Sequence, residues 1–418
     1  MTGWKRWRTS LFLFFAVLGP GFITANVDND AGGILTYSQA GAQYGYKLLW
    51  TMLPITLALI VVQEMCARMG AITGKGLSDL IREEFGLRMT FVLMALLVIV
   101  NFGNVVTEFV GISGSLGIFS ISKLISVPLC ALAVWALVVK GNYKSVEKIF
   151  LVASVFYICY IIAGVMSRPD WHQALTQTVV LPSRSTWESK DYVYMVIAVV
   201  GTTIAPWMQF YLQASVVDKG ITPKQYKASR LDVIVGSFFT DIVAWFIIVV
   251  CAATLYTHGM RNITVPSDAA EAMKPIADRY AYLLFAFGLF NASFFAASIL
   301  PLSTAYTVCE GLGFESGVDR SFKQAPVFYW LYTLLIISGA ALVIFLKQET
   351  AMKVVVLSQV LNGVLLPFVL IYMLRLINKK ELMGKHTNSA WLNVVTWATV
   401  IIVTGLSLVL MWQSATGG

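Results

Sequence analysis

Eleven apolar runs of about 20 residues or more take up nearly the whole chain, and about 20 is the length a helix needs to cross the hydrocarbon layer of a bilayer. Between their polar breaks they lie at about 10–43, 46–73, 88–119, 121–140, 145–166, 189–218, 229–257, 276–312, 324–346, 351–377 and 389–413. In lipid, each backbone N–H and C=O must find its partner inside the protein, so runs of this length predict an all-α integral membrane fold with eleven spans. The composition agrees: 58% of the 418 residues are hydrophobic and 12% charged, where a soluble domain carries roughly 25% charge. A soluble enzyme is excluded.

The net charge of +8 does not point to nucleic acid, because the basic residues sit singly at the ends of apolar runs. With the N-terminus inside, two-thirds of the 30 Lys and Arg fall in cytoplasmic segments, among them Lys5, Arg6, Arg8, Arg68, Lys75, Arg230 and Arg375. That bias predicts a multi-pass protein of the cell (inner) membrane with a cytoplasmic N-terminus and an outside C-terminus. The bilayer is its expected environment and a monomer its expected state. Cys66, Cys130, Cys159, Cys251 and Cys309 lie in apolar runs without a CxxC pair, so neither a disulfide framework nor a zinc site is indicated. The longest polar connections, about 167–188 and 258–275, are too short for a domain, and there is no nucleotide-binding loop. A secondary transporter or channel is the default.

Two spans are interrupted at membrane depth. In the first, Asn26-Val27-Asp28-Asn29-Asp30-Ala31-Gly32-Gly33 places two carboxylates and a glycine pair where the helix should be apolar. Ionisable groups at that depth face a water-filled path or bind an ion, and Gly-Gly lets the backbone leave the helix. In the sixth, Gly201-Thr202-Thr203-Ile204-Ala205-Pro206-Trp207-Met208-Gln209 contains a proline that frees a carbonyl about one turn earlier, near Thr202. The first and sixth spans open two five-helix halves, and breaks in corresponding positions mark the substrate site of an inverted-repeat transporter. Oxygen donors dominate both breaks, which suits a hard divalent cation. Asp28 and Asn29 are placed to line the outer path, while Glu64 and Asp232 are expected to pair with Arg68 or Arg230 and Asp241 to tune the field.

These motifs resemble the Nramp family of divalent-metal transporters. Its first-span pattern is similar to Gly19-Pro20-Gly21-Phe22, Asp30-Ala31-Gly32-Gly33, Ala40-Gly41-Ala42 and Gly45-Tyr46-Lys47-Leu48-Leu49-Trp50. Ala67-Arg68-Met69-Gly70, Thr107-Glu108-Phe109-Val110-Gly111 and Leu357-Ser358-Gln359-Val360 extend the likeness over most of the chain. The resemblance implies a LeuT-type fold of two inverted repeats, about 10–166 and 189–377, with an additional helix at about 389–413. It implies no enzyme activity and no cofactor, the metal being cargo. Carried over position by position, it makes Asp30 the carboxylate ligand, with backbone carbonyls near Val27 and Thr202 and the side-chain oxygen of Gln359. Gly33 and Ala205 would contribute space, Ala205 also its carbonyl. Asp28, Asn29, Trp207, Gln209, Glu108 and Asn362 would line the cavity or pathway.

Three departures bear on the cargo. The family's Asn after Asp-Pro-Gly is Gly33 here, and its Met-Pro-His is Ala205-Pro206-Trp207. Loss of the thioether and a larger cavity resemble the Nramp-related magnesium transporters, which gives Mg²⁺ as the expected cargo and Mn²⁺ as an additional one. An indole cannot titrate near neutral pH as a histidine does, and Val105 stands where the family has a further acid, so transport without proton coupling is expected. The membrane potential alone would supply about 4.6 kcal/mol per divalent ion per 100 mV. The alternatives are a proton-coupled Mn²⁺/Fe²⁺ transporter of the parent family and, more remotely, a sodium-coupled amino-acid symporter of LeuT fold.

Overall fold

The computed structural model describes residues 19–141, 143–263, 266–271 and 278–415. Lys5, Arg6, Arg8, the first run's residues 10–18 and parts of the 258–275 connection lie outside the described residues. What is described is α-helical throughout its regular structure.

The first run is two helices, α1 (Pro20–Val27) and α2 (Ala31–Tyr44), separated at Asp28–Asp30. A 3₁₀ turn, Gly45–Thr51, leads into α3 (Met52–Thr73). Next come α4 (Leu77–Gly117), α5 (Lys123–Val139), α6 (Tyr143–Val155) and α7 (Ile158–Met166). The polar connection at 167–188 contains α8 (Trp171–Val179), started by the Asp170 side chain accepting the Gln173 N–H at 2.9 Å. The sixth run is again two helices, α9 (Lys190–Thr203) and α10 (Pro206–Asp218). It is followed by α11 (Tyr226–Cys251), α12 (Asp278–Leu312), α13 (Pro326–Phe345), α14 (Gln348–Ile377) and α15 (Ala390–Ala415).

Among the described residues, nine helical stretches are long and apolar enough to cross a membrane, and α5, with 17 residues, is a shorter apolar helix. Burial ranks them. In the most apolar stretch of 190–218, 94% of residues are buried, against 28% in 390–412, so the interrupted segment is central and α15 peripheral. On α5, Leu124, Ile125, Leu129 and Leu132 are each more than 60% exposed, a surface that only lipid can solvate. The five cysteines are free and buried.

Three packings position the centre: α12 lies along α4, α14 along α9, and α11 against α1, α2 and α3. Small residues set the second one. A side chain at Gly201 would collide with the Gln359 carbonyl, and one at Gly363 would come within 2.7 Å of the Ile197 carbonyl, so α9 and α14 touch backbone to backbone. At Gly86 the chain takes φ 80, ψ 168, a left-handed value suited to glycine. A surface segment thus precedes the third span, which explains why the apolar run begins only near residue 88.

The expected ion pairs divide. Glu64 Oε2 pairs with Arg68 Nη2 at 3.0 Å, and the buried Arg68 also donates to the carbonyls of His386 and Thr387. Asp232 instead turns to the start of α1, where its carboxylate accepts the N–H groups of Gly19 (2.8 Å), Gly21 (2.8 Å) and Phe22 (3.1 Å). Three otherwise orphaned backbone donors draw the carboxylate more strongly than a surface arginine does.

Candidate functional site

Both interruptions open a carbonyl by the same route. In an unbroken helix the Val27 carbonyl would accept the Ala31 N–H, four residues on. That N–H donates instead to Glu108 Oε2 at 3.1 Å. In the sixth run the Thr202 carbonyl would accept from residue 206, which is a proline without an N–H. The chain there leaves the helix at Ile204 (φ −124, ψ 56) and re-enters through Ala205 (φ −66, ψ 136). Val27 and Thr202 therefore each present a carbonyl at the end of a half-helix, where the backbone dipole is negative.

Asp30 closes the first break. Its backbone is extended (φ −72, ψ −175) and its Oδ1 accepts the Gly33 N–H at 2.6 Å, capping α2. The Glu108 carboxyl meets α2 at the Ala31 N–H, which adjoins Asp30, and lies within electrostatic reach of the Asp30 carboxyl. Two carboxyl groups so close form a single unit that a cation or a bridging proton must stabilise. The two half-helices are joined by Tyr37, whose hydroxyl donates to Thr203 Oγ1 at 2.7 Å, since Thr203 itself donates to the Val199 carbonyl.

Gln359 reaches the same place from α14. Its Nε2 lies against Gly32, where any side chain would collide with it, and donates to Asn104 Oδ1 at 3.4 Å. Asn362 Nδ2 donates to Gln359 Oε1 (2.9 Å) and to Asn104 Oδ1 (3.0 Å), closing an amide network between α4 and α14. Such a network holds Gln359 in register with the α2 N-terminus.

Other expected residues have different surroundings. The Asn29 amide donates to the carbonyl (3.0 Å) and hydroxyl (2.6 Å) of Thr240 on α11. Asp28 is buried with no hydrogen-bond partner for either carboxylate oxygen. Trp207 is buried beside Tyr211, their ring centroids 6.4 Å apart, and its carbonyl accepts from Ser303 Oγ. The Gln209 amide, oriented to donate, binds the carbonyls of Ala205 (2.7 Å) and Pro206 (2.6 Å), and Met208 N–H also binds Ala205. At Gly33 a side chain would strike the Asp28 carbonyl, so this glycine serves a tight backbone approach rather than an enlarged cavity.

The structure thus gathers Val27, Asp30, Thr202, Gln359, Glu108 and Asn362 around the two breaks. It adds Asn104, Tyr37 and Thr203, which the sequence reading missed. Asn104 was findable: it lies one helical turn before Glu108, on the same face of the same span. Tyr37 and Thr203 carry no such signal, since their pairing depends on how α2 meets α9. No group of three His, Cys, Asp or Glu is gathered for a metal among the described residues, so carbonyl and amide oxygens must supplement the carboxylates.

A family model described as "Nramp: Natural resistance-associated macrophage protein-like" matches residues 21–413. A relative from Nostoc sp., described as a divalent metal cation transporter MntH, is 28% identical over 98% of this chain and 93% of its own length. The crystal structure of a manganese transporter of Eremococcus coleocola superposes with a TM-score of 0.76 at 21% identity, covering 98% of this chain and 88% of that one. The structure of MhsT in complex with L-phenylalanine superposes at 0.61 and 13% identity, over 94% of this chain and 97% of that one. Together they show an all-α, multi-span membrane fold resembling that of LeuT-type transporters.

These findings correct the expected cargo. The full-length relatives are described as divalent metal cation transporters of the MntH type and the similar metal-transporter structures as manganese transporters; nothing singles out a magnesium branch. The expectation of uncoupled Mg²⁺ transport failed for a physical reason: carboxylate, carbonyl and amide oxygens suit Mn²⁺ as well as Mg²⁺. Loss of a thioether therefore does not select between them, and the space expected at Gly33 is filled. By a family match that spans nearly its whole length, this chain belongs to the Nramp family of divalent-metal transporters, carriers rather than enzymes.

Proposed function

We propose that the chain is a secondary transporter that carries Mn²⁺ coupled to protons, by alternating access around the breaks at Asp28–Asp30 and Ile204–Ala205. The observation that carries this reading is the pair of carbonyls, Val27 and Thr202, released at the two breaks, the first of them ending at Asp30. The MntH relatives and the manganese transporter structure support Mn²⁺ as the cargo. Asp30 supplies the negative charge, Val27 and Thr202 their carbonyls, and Gln359 its amide oxygen once the Asn362 bond yields. Gly33 acts through its N–H on Asp30, the Ala205 carbonyl expected at the ion is held instead by Met208 and Gln209, and Trp207 and Gln209 flank the path.

For protons, the reading uses the Asp30–Glu108 unit in place of the family's histidine. A cation arriving at Asp30 displaces the proton that the two carboxyls share, and that proton leaves by way of Glu108 to the side into which the metal is carried, so metal and proton move in the same direction without an imidazole. The architecture it supposes has eleven spans, with inverted repeats at about 10–166 and 189–377 and α15 beyond them. The chain would act as a monomer in the inner membrane, N-terminus inside and C-terminus outside.

The test is Mn²⁺ uptake into proteoliposomes by the wild type and Asp30→Ala. The wild type takes up Mn²⁺ saturably, and Asp30→Ala loses uptake while remaining monodisperse. Uptake retained in Asp30→Ala would overturn the reading.

A further inference from the structure

The junction between the first break and α11 holds a second set of oxygens that the site above does not use. The Asn29 amide nitrogen binds both the carbonyl and the hydroxyl of Thr240, which fixes the orientation of that amide and sets the two chain segments side by side. The residues flanking this bonded pair are Asp28 on one strand of chain and Asp241 on the other, within electrostatic reach of each other. Asp28 is 2% exposed, Asp241 4% and Asn29 fully buried. Both oxygens of each carboxylate and the Asn29 Oδ1 lack a hydrogen-bond partner, which makes five orphaned buried oxygens around one junction. Buried polar atoms are ordinarily satisfied, and a buried carboxylate left alone is costly. Acceptor oxygens grouped in this way are satisfied by a cation.

We propose that Asp28, Asn29 and Asp241 form a second divalent-cation site, a station beside the Asp30 site. Two carboxylates neutralise one divalent ion, and a hard cation of this kind takes about six oxygen ligands, so five protein oxygens leave room for water. Asp241 also borders a cavity of about 490 Å³ between α3 and α11, where Thr56 and Thr178 of α8 are the other polar residues of an otherwise apolar lining. Asp28 is two residues from Asp30, so an ion leaving the station passes to the central site along the unwound backbone. An amino-terminal half-site of this kind explains why the break carries two acids when one suffices to hold the cargo.

This inference rests on the divalent-metal reading, and equilibrium binding of Mn²⁺ to the purified full-length chain separates the two. The wild type binds two ions, Asp241→Asn binds one with the remaining affinity changed less than about twofold, and Asp30→Ala binds one. Thermal unfolding without metal checks that Asp241→Asn is folded; if it is not, Asp28→Asn is read in its place, with the same loss of one ion expected. A wild type that binds one ion, or an Asp241→Asn protein that still binds two, overturns the station and leaves the transporter reading intact. A wild type that binds no Mn²⁺ overturns both.

Discussion

Replacing Asp232 by Ala strips the start of α1 of its cap. The carboxylate holds three backbone N–H groups, those of Gly19, Gly21 and Phe22, at 2.8 to 3.1 Å in a buried setting. Hydrogen bonds to a charged group are worth more than neutral ones, and each buried donor left without a partner costs at least about 1 kcal/mol. Three donors then cost about 3 kcal/mol, with the helix dipole adding to the same sign. At 1.4 kcal/mol per factor of ten, the equilibrium for lifting α1 off α11 shifts about 100-fold. Hydrogen exchange of the amides of residues 21–27 reads that equilibrium directly, because exchange requires the segment to open. Asp232→Ala is expected to exchange there about 100-fold faster with α12 and α14 unchanged, and Asp232→Asn, which keeps one acceptor oxygen, to fall between. Unchanged exchange at 21–27 in Asp232→Ala would refute the claim that this carboxylate holds α1 closed.

Three further outcomes follow from the same geometry. Glu108→Gln keeps an oxygen for the Ala31 N–H but removes the second acid, so Mn²⁺ uptake should persist with the accompanying acidification reduced at least severalfold, measured with an enclosed pH dye. Asp30→Asn keeps the cap on α2, worth about 1 kcal/mol, while removing the charge, so melting should change little and one of the two Mn²⁺ ions should bind more than tenfold more weakly in equilibrium dialysis. Gly201→Leu forces α9 away from the Gln359 backbone, an overpacking cost of about 1–3 kcal/mol, and should lower both the melting temperature and Mn²⁺ uptake.

The span boundaries were legible because burial in lipid demands long apolar runs, and α9, α10, α11 and α14 begin and end close to the polar breaks. The two interruptions were legible for a local reason, since acids, Gly-Gly and Pro are all poor inside a membrane helix. Asp232 was misread because its partner is a set of backbone N–H groups more than 200 residues away, and backbone donors leave no mark in a sequence. The choice between Mg²⁺ and Mn²⁺ was misread because substitutions were treated as a change in space, whereas Gly33 is packed against the Asp28 carbonyl. The bond from the Asn29 amide nitrogen to Thr240 was not legible, since a pairing across 211 residues is a fact of packing rather than of motif.

The measurement that bears most directly on the account is simultaneous Mn²⁺ and pH recording in proteoliposomes held at fixed membrane potential. The account predicts saturable Mn²⁺ uptake with acidification of the lumen, both lost in Asp30→Ala. Mn²⁺ uptake with a silent pH trace would contradict the coupling, and absence of Mn²⁺ uptake by the wild type would contradict the account as a whole.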